Sequence, residues 1–223
     1  IMCAIFGSFD KEKFESLAEL NQYRGDYSWS ITQFVTGAFK HYRDGETVFS
    51  SRMRKSLGKF QLEGWDKDFE EYDSTLYKTY WLGHVQAPTT VSVEMHPSCI
   101  KKDMLWHNGI IKDYQVKEWQ EGYGSLNWDT ELFHRHILLG GDLDDVDGTF
   151  SCARYDGEQV TLFRNEISPL FYDEYLNISS VEFENSEETE AGVNYGMDFQ
   201  SKVLEPLNRF ETKENPYYFG EIE

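Results

Sequence analysis

A cysteine that becomes the first residue of a chain carries two reactive groups, a thiol and a free α-amine, and Cys3 follows directly on Met2. The amine titrates at about 7.7–8, so near neutral pH it serves as general base for its own side chain. A thiol so activated attacks a carbonyl carbon and makes a tetrahedral oxyanion, which needs preorganised hydrogen-bond donors. Trp106-His107-Asn108-Gly109-Ile110 offers such a pair, the Asn108 side-chain amide and the Gly109 backbone N–H, with glycine permitting close backbone approach. Asp129, in Asn127-Trp128-Asp129-Thr130-Glu131, suits the α-ammonium of an amino-acid substrate. Gly83-His84-Val85-Gln86-Ala87-Pro88-Thr89-Thr90 ends a strand in a loop with an amide and two hydroxyls, which suits polar substrate groups.

Each pattern also has a plainer reading. A cysteine in a strand packs as a small apolar group. Asn-Gly is a common turn dipeptide, Asp129 suits a helix N-cap, and Pro with hydroxyls is ordinary loop punctuation.

The elements that must hold these residues are legible in the periodicity. Residues 1–7 read as a short buried strand closed by Gly7. Phe14, Leu17, Leu20 and Tyr23 fall three apart and predict a helix over Lys11 to Arg24. Strands are expected at Ser28 to Val35, Thr47 to Ser51, Tyr80 to Gln86 and Met104 to Ile111, and helices at Asp113 to Gln120 and Asp129 to Leu139. Thr149 to Tyr155 and Gln159 to Arg164 alternate around Asp156-Gly157, a hairpin signal, and further β structure is expected at Leu170 to Tyr172 and Ile178 to Phe183. Two groups of strands with helices outside them make one α+β domain over 1–223, with 186–223 as a C-terminal extension.

Composition narrows the partners. The 223 residues hold 40 Asp and Glu against 21 Lys and Arg, a formal net charge of -19, which repels phosphate backbones and disfavours direct nucleic-acid binding. No apolar run approaches the roughly 18 residues of a membrane span, so a soluble, cytoplasmic protein is expected. Three cysteines (Cys3, Cys99, Cys152) argue against a disulfide framework, and no Cys or His spacing predicts a zinc site or any other cofactor.

Taken in order, the motifs resemble the class II, N-terminal-nucleophile glutamine amidotransferases, whose glutaminase domains occur in asparagine synthetase, glucosamine-6-phosphate synthase and PRPP amidotransferase. Met2-Cys3-Ala4-Ile5-Phe6-Gly7 is similar to the family's Met-Cys-Gly-Ile-Phe-Gly start, and Tyr23-Arg24-Gly25-Asp26 to its Arg-Gly-Pro-Asp. Gly83 to Thr90 resembles the substrate-carboxylate loop. His96-Pro97 and His107-Asn108-Gly109-Ile110-Ile111 resemble the oxyanion segment, and Asp129-Thr130-Glu131 the segment that binds the glutamine amine. Gly148 to Tyr172 is similar to the asparagine synthetase hairpin and the stretch after it.

The resemblance spans residues 2 to about 183. It implies a four-layer αββα sandwich, Cys3 as nucleophile, Asn108 and Gly109 as oxyanion donors, and Gln86, Thr89, Thr90 and Asp129 around glutamine. It also implies ammonia released for a synthetase partner chain.

Three positions depart from the pattern. Ala4 replaces a glycine, and Gln86 stands where the synthase-type motif has an arginine on the glutamine α-carboxylate. Ile1 and Met2 precede the nucleophile, and while they are attached the base is missing and no glutaminase activity is expected. The rival readings are a silent or repurposed scaffold acting as a binding or regulatory protein, and an amidohydrolase for another γ-glutamyl compound.

Overall fold

The computed structural model describes residues 3–25, 27–35, 38–44, 79–87, 94–124, 126 and 128–211. Two antiparallel sheets lie face to face. The first has seven strands: β1 (Ala4–Ser8), β2 (Ser28–Val35), β3 (Ala38–Asp44), β4 (Tyr80–Gln86), β9 (Phe171–Tyr172), β10 (Ile178–Ser179) and β11 (Glu187–Glu188). They run in the order β11-β9-β10-β1-β4-β2-β3. The second contains β5 (Ser98–Ile100), β6 (Asp103–Ile111), β7 (Gly148–Tyr155), β8 (Val160–Arg164), β12 (Val193–Asp198) and β13 (Val203–Arg209), in the order β13-β12-β8-β7-β6-β5.

Alternation along the central strands builds three cores. Ala4 and Phe6 of β1 turn outward to α1 (Lys11–Asn21), where they meet Phe14, Leu17 and Ala18. Ile5 turns inward to Tyr80, Leu82, Met104, Trp106 and Leu162 between the sheets. Along β6, Met104 and Trp106 point inward, while Leu105 and Ile111 pack outward on α2 (Asp113–Tyr123) and α3 (Asp129–Leu138) with Trp119, Leu132 and Phe133. Successive strand side chains take opposite faces, so the period of two lets each sheet serve two cores. The result is the four-layer αββα sandwich, with α1 outside the first sheet and α2 and α3 outside the second. No helix among the described residues is long and apolar enough to cross a membrane.

Local chemistry sets the helix ends. The Asp10 carboxylate accepts from the Lys13 N–H at 2.7 Å and caps α1, which runs on as a 3₁₀ turn at Gln22–Arg24. At the other end of the helix Asn21 donates to Ser179 Oγ at 2.8 Å and fastens it to β10. A buried polar joint fastens the opposite side. His134 on α3 bonds Ser98 Oγ at 2.9 Å and Asp103 at 2.8 Å, and Asp103 takes two bonds from Arg154. Burial raises the Asp103 pKa, but hydrogen bonds from His134 and Arg154 outweigh it and hold the carboxyl below its ordinary value.

The predicted strands at Ser28 to Val35 and Tyr80 to Gln86 form with those bounds, and the Asp156-Gly157 hairpin joins β7 to β8. The expected strand at Thr47 to Ser51 lies outside the described residues. The β structure expected over Ile178 to Phe183 ends at Ser179, because the Ser179 hydroxyl accepts from the Val181 N–H and turns the chain. Residues 187–209, within the expected C-terminal extension, contribute β11 to the first sheet and β12 and β13 to the second.

Phe133 is fully buried and its ring meets His107, Trp119, Phe150 and Phe163. Phe133→Ala should therefore cost about 3–5 kcal/mol. Urea unfolding followed by far-UV circular dichroism will show this as a lowered midpoint with an unchanged slope.

Candidate active site

Cys3 immediately precedes β1, the strand held between β10 and β4, and is almost wholly buried. Its thiol donates a long bond to Ala87 O at 3.9 Å, just beyond the end of β4. Its carbonyl accepts from Arg24 Nε at 3.1 Å. Burial, with a smaller contribution from the Asp129 charge, pushes the Cys3 thiol up to about 12, against opposing effects of the Ala87 carbonyl bond and Arg24. The thiol is therefore neutral at physiological pH, and attack requires a base that removes its proton in the reaction.

Asn108 lies on β6 two residues beyond Trp106, so the alternation turns it inward, toward the first sheet. There its amide reaches Ser180 Oγ at 3.2 Å, besides Ser151 Oγ at 3.4 Å in its own sheet. Ser180 Oγ also accepts from the Ile5 N–H at 2.9 Å, and the Ser180 N–H donates to Ile5 O at 2.8 Å. One hydroxyl thus ties the backbone two residues beyond Cys3 to the Asn108 amide across the two sheets. With Nδ2 aimed at the serines, Oδ1 is buried and has no hydrogen-bond partner. Exchanging the two ends lets both serine hydroxyls donate to Oδ1, and leaves Nδ2 facing where Oδ1 had none. That orientation removes the orphaned acceptor and supplies a free donor.

Gly109 is required by space. A Cβ there would sit 1.8 Å from Thr149 O and 2.8 Å from His107 Nε2, so no other residue fits without parting β6 from β7. The Asn-Gly pair is part of a strand here and not a turn.

Asp129 is the first residue of α3 and is buried. Its Oδ1 accepts from the Thr130 N–H at 2.8 Å and its Oδ2 from the Ile111 N–H at 3.4 Å. The N-cap position belongs to Trp128, which corrects the capping role read from the sequence. The carboxylate instead joins the helix start to the end of β6, the strand that carries Asn108.

Gln86 ends β4 with both ends of its amide engaged. Oε1 accepts from Ser28 Oγ at 2.8 Å and from the His96 N–H at 3.3 Å, and Nε2 donates to Glu94 O at 3.0 Å. Thr89 and Thr90, together with Asn127, lie outside the described residues.

Three histidines that the sequence reading left without a role complete this wall. His84 and His96 stack with centroids 4.0 Å apart. Thr130 Oγ1 lies 3.1 Å from both His96 Nε2 and His107 Nδ1. Burial drives His84 down to about 3 and lowers His107 as well, so both rings are neutral at physiological pH. Through His96 and His107 these contacts link Gln86, the Asn108 strand and the start of α3. The missed signal was His-Pro at 96–97, His-Asn-Gly at 107–109 and Thr130, each recorded but not connected to the others.

Comparison with solved structures gives the fold its place. The chain superposes on the allosteric regulatory enzyme of purine biosynthesis with a TM-score of 0.63 at 16% identity, covering 96% of this chain and 50% of that one. It superposes on the glutamine phosphoribosylpyrophosphate amidotransferase of B. subtilis, complexed with ADP and GMP, with a TM-score of 0.59 at 16% identity, covering 93% and 50%. This chain thus spans about half the length of each. The likeness shows that this chain has the αββα fold shared by those two enzymes over about half of their length. No family model and no curated protein matches the sequence.

The buried, neutral thiols define a reactivity order. Burial also raises Cys152 well above the ordinary thiol range, whereas Cys99 is exposed. Iodoacetamide at pH 8 should label Cys99 before Cys3 and Cys152 in the folded chain, and peptide mass mapping over time will display the order.

Proposed function

We propose that the domain releases ammonia from the side-chain amide of glutamine, with Cys3 as nucleophile once it stands at the N-terminus. The observation that supports this reading is that Cys3 lies two residues before Ile5, whose N–H meets Ser180 Oγ, and the same hydroxyl meets the Asn108 amide on the facing sheet. A carbonyl carbon bound between the thiol and that amide would meet a nucleophile on one side and a donor on the other, as acyl transfer needs.

The steps balance without a cofactor. Sγ bonds to the γ-carbonyl carbon as its proton passes to the Cys3 α-amine, and the carbonyl oxygen becomes an oxyanion held by Asn108 Nδ2 and the Gly109 N–H. The carbon–nitrogen bond then breaks, the ammonium returns its proton to the leaving nitrogen, and ammonia departs from a γ-glutamyl thioester. Water, deprotonated by the same amine, adds to the thioester. The thiol leaves and glutamate forms. The high thiol pKa supports this assignment of the amine, since a preformed thiolate is disfavoured in so buried a place.

Asp129, Thr89 and Thr90 are assigned to the substrate's polar groups. Gln86 contributes by holding the end of β4 through its three bonds. The ammonia is assigned to a separate synthetase partner, and the net charge of -19 suits docking to a basic surface on that partner.

The test uses protein whose first residue is Cys3, with intact mass recorded before and after exposure to a diazo-ketone analogue of glutamine. One adduct per chain, absent in Cys3→Ala, is the expected result. A folded chain that takes no adduct would refute the reading and favour a repurposed scaffold. In the same protein, Asn108→Ala should lower kcat for glutamate release by about 10²–10³ with little change in KM, as loss of an oxyanion donor does.

A further inference from the structure

Glutamine is a zwitterion at its α-carbon, so a site that selects it must offer a cation beside an anion. Asp129 offers the anion. Gln86 is neutral, and its amide oxygen and nitrogen are both engaged by Ser28, His96 and Glu94. Residues 87–95, Ala-Pro-Thr-Thr-Val-Ser-Val-Glu-Met, contain no basic residue.

The cation next to the thiol among the described residues is Arg24. Its Nε is committed to Cys3 O at 3.1 Å, which sets the guanidinium beside the nucleophile. Its Nη2 is buried and has no hydrogen-bond partner among the described residues. An unpaired guanidinium nitrogen out of water is costly, and the cost is removed when an anion binds there.

The backbone brings this group to the end of β4. Gly25 packs so tightly that a Cβ would lie 2.6 Å from Gln86 C and 2.8 Å from Gln86 N and O, and the Tyr27 N–H donates to Gln86 O at 2.9 Å. Gly25 and Tyr27 are therefore seated directly on the Gln86 main chain, next to where a side chain at 86 begins. Arg24 and Asp129 also both act electrostatically on the Cys3 thiol, with opposite sign.

We infer that Arg24 is the substrate-binding cation of this site: its Nη2 pairs the α-carboxylate of glutamine while its Nε holds the Cys3 carbonyl, and Gln86 serves only as a brace. The inference rests on the glutaminase reading and deepens it. The carboxylate then meets the arginine of the turn after α1 in place of one at the end of β4. The same guanidinium then couples carboxylate binding to the placement of the nucleophile. Substrates whose α-carboxyl is masked lose that coupling.

The test compares glutamine with its α-carboxamide, glutaminamide, on the chain beginning at Cys3, following the γ-hydrolysed products by mass spectrometry. The unaltered chain should prefer glutamine in kcat/KM by roughly tenfold or more, the worth of a charge-assisted bond. Arg24→Gln keeps a donor for the Cys3 carbonyl and removes the charge, so it should abolish the preference through KM. Arg24→Lys should retain most of it.

Should R24Q fail to fold, protection of the unaltered chain from the diazo-ketone gives the readout, with glutamine expected to protect well and glutaminamide poorly. Equal protection, or an equal loss of both substrates in R24Q, would overturn the assignment and leave Arg24 as a brace for Cys3. A chain that takes the diazo-ketone adduct and turns over both amides equally sinks the Arg24 assignment alone. A chain that takes no adduct and turns over neither removes the glutaminase reading and this inference together.

Discussion

Two sheets packed face to face have no backbone hydrogen bonds between them, so any alignment of groups across the gap depends on side chains. In this protein the Ser180 hydroxyl makes that link, accepting from the Ile5 N–H and meeting the Asn108 amide. Its position follows from the way β10 ends: Ser179 turns the chain, and Ser180 falls beside β1 instead of continuing a strand. The apolar inter-sheet core around Ile5, Leu82, Trp106 and Leu162 keeps water away from this contact, which strengthens it and makes an unmatched polar atom costly. The position of the Asn108 amide relative to the Ile5 backbone depends on that contact.

The electrostatics around the nucleophile are opposed. Burial and Asp129 keep the thiol protonated, while Arg24 and the Ala87 carbonyl act the other way. Burial keeps His84 and His107 behind it neutral, and His107 meets Thr130 without adding charge.

Rigidity behind the site has its own source. Gly109 and Gly25 are positions where backbone meets backbone with no room for a Cβ. The first holds β6 against β7 and the second seats the turn after α1 on the end of β4. Small residues at such close approaches let two chain segments share one position, so the donors they carry move together or not at all.

Much of this was legible from residue order. The period of two along Ser28 to Val35 and Tyr80 to Gln86, the three-residue spacing in Lys11 to Asn21 and the Asp156-Gly157 turn are local signals, and local signals survive into the fold. Cys3, Asn108, Gly109 and Asp129 stood out by type and spacing, as did the likeness to the amidotransferases. The two-residue strand β11 and the pair β12 and β13 did not, because pairing across the sheet and not their own pattern makes them strands.

The role of a polar side chain was also beyond the sequence, since a hydrogen bond is decided by what arrives from elsewhere in the chain. Asp129 looked like a cap and became a joint between α3 and β6, because the Ile111 N–H reaches it from 18 residues away. Gln86 stood out as a ligand for substrate, and Ser28 and His96 converge on its oxygen from elsewhere in the chain. Sequence by itself determined the layers and the residues capable of chemistry, because periodicity and residue type are properties of the chain. Tertiary structure decided which donor meets which acceptor, because those distances exist only after the two sheets have packed.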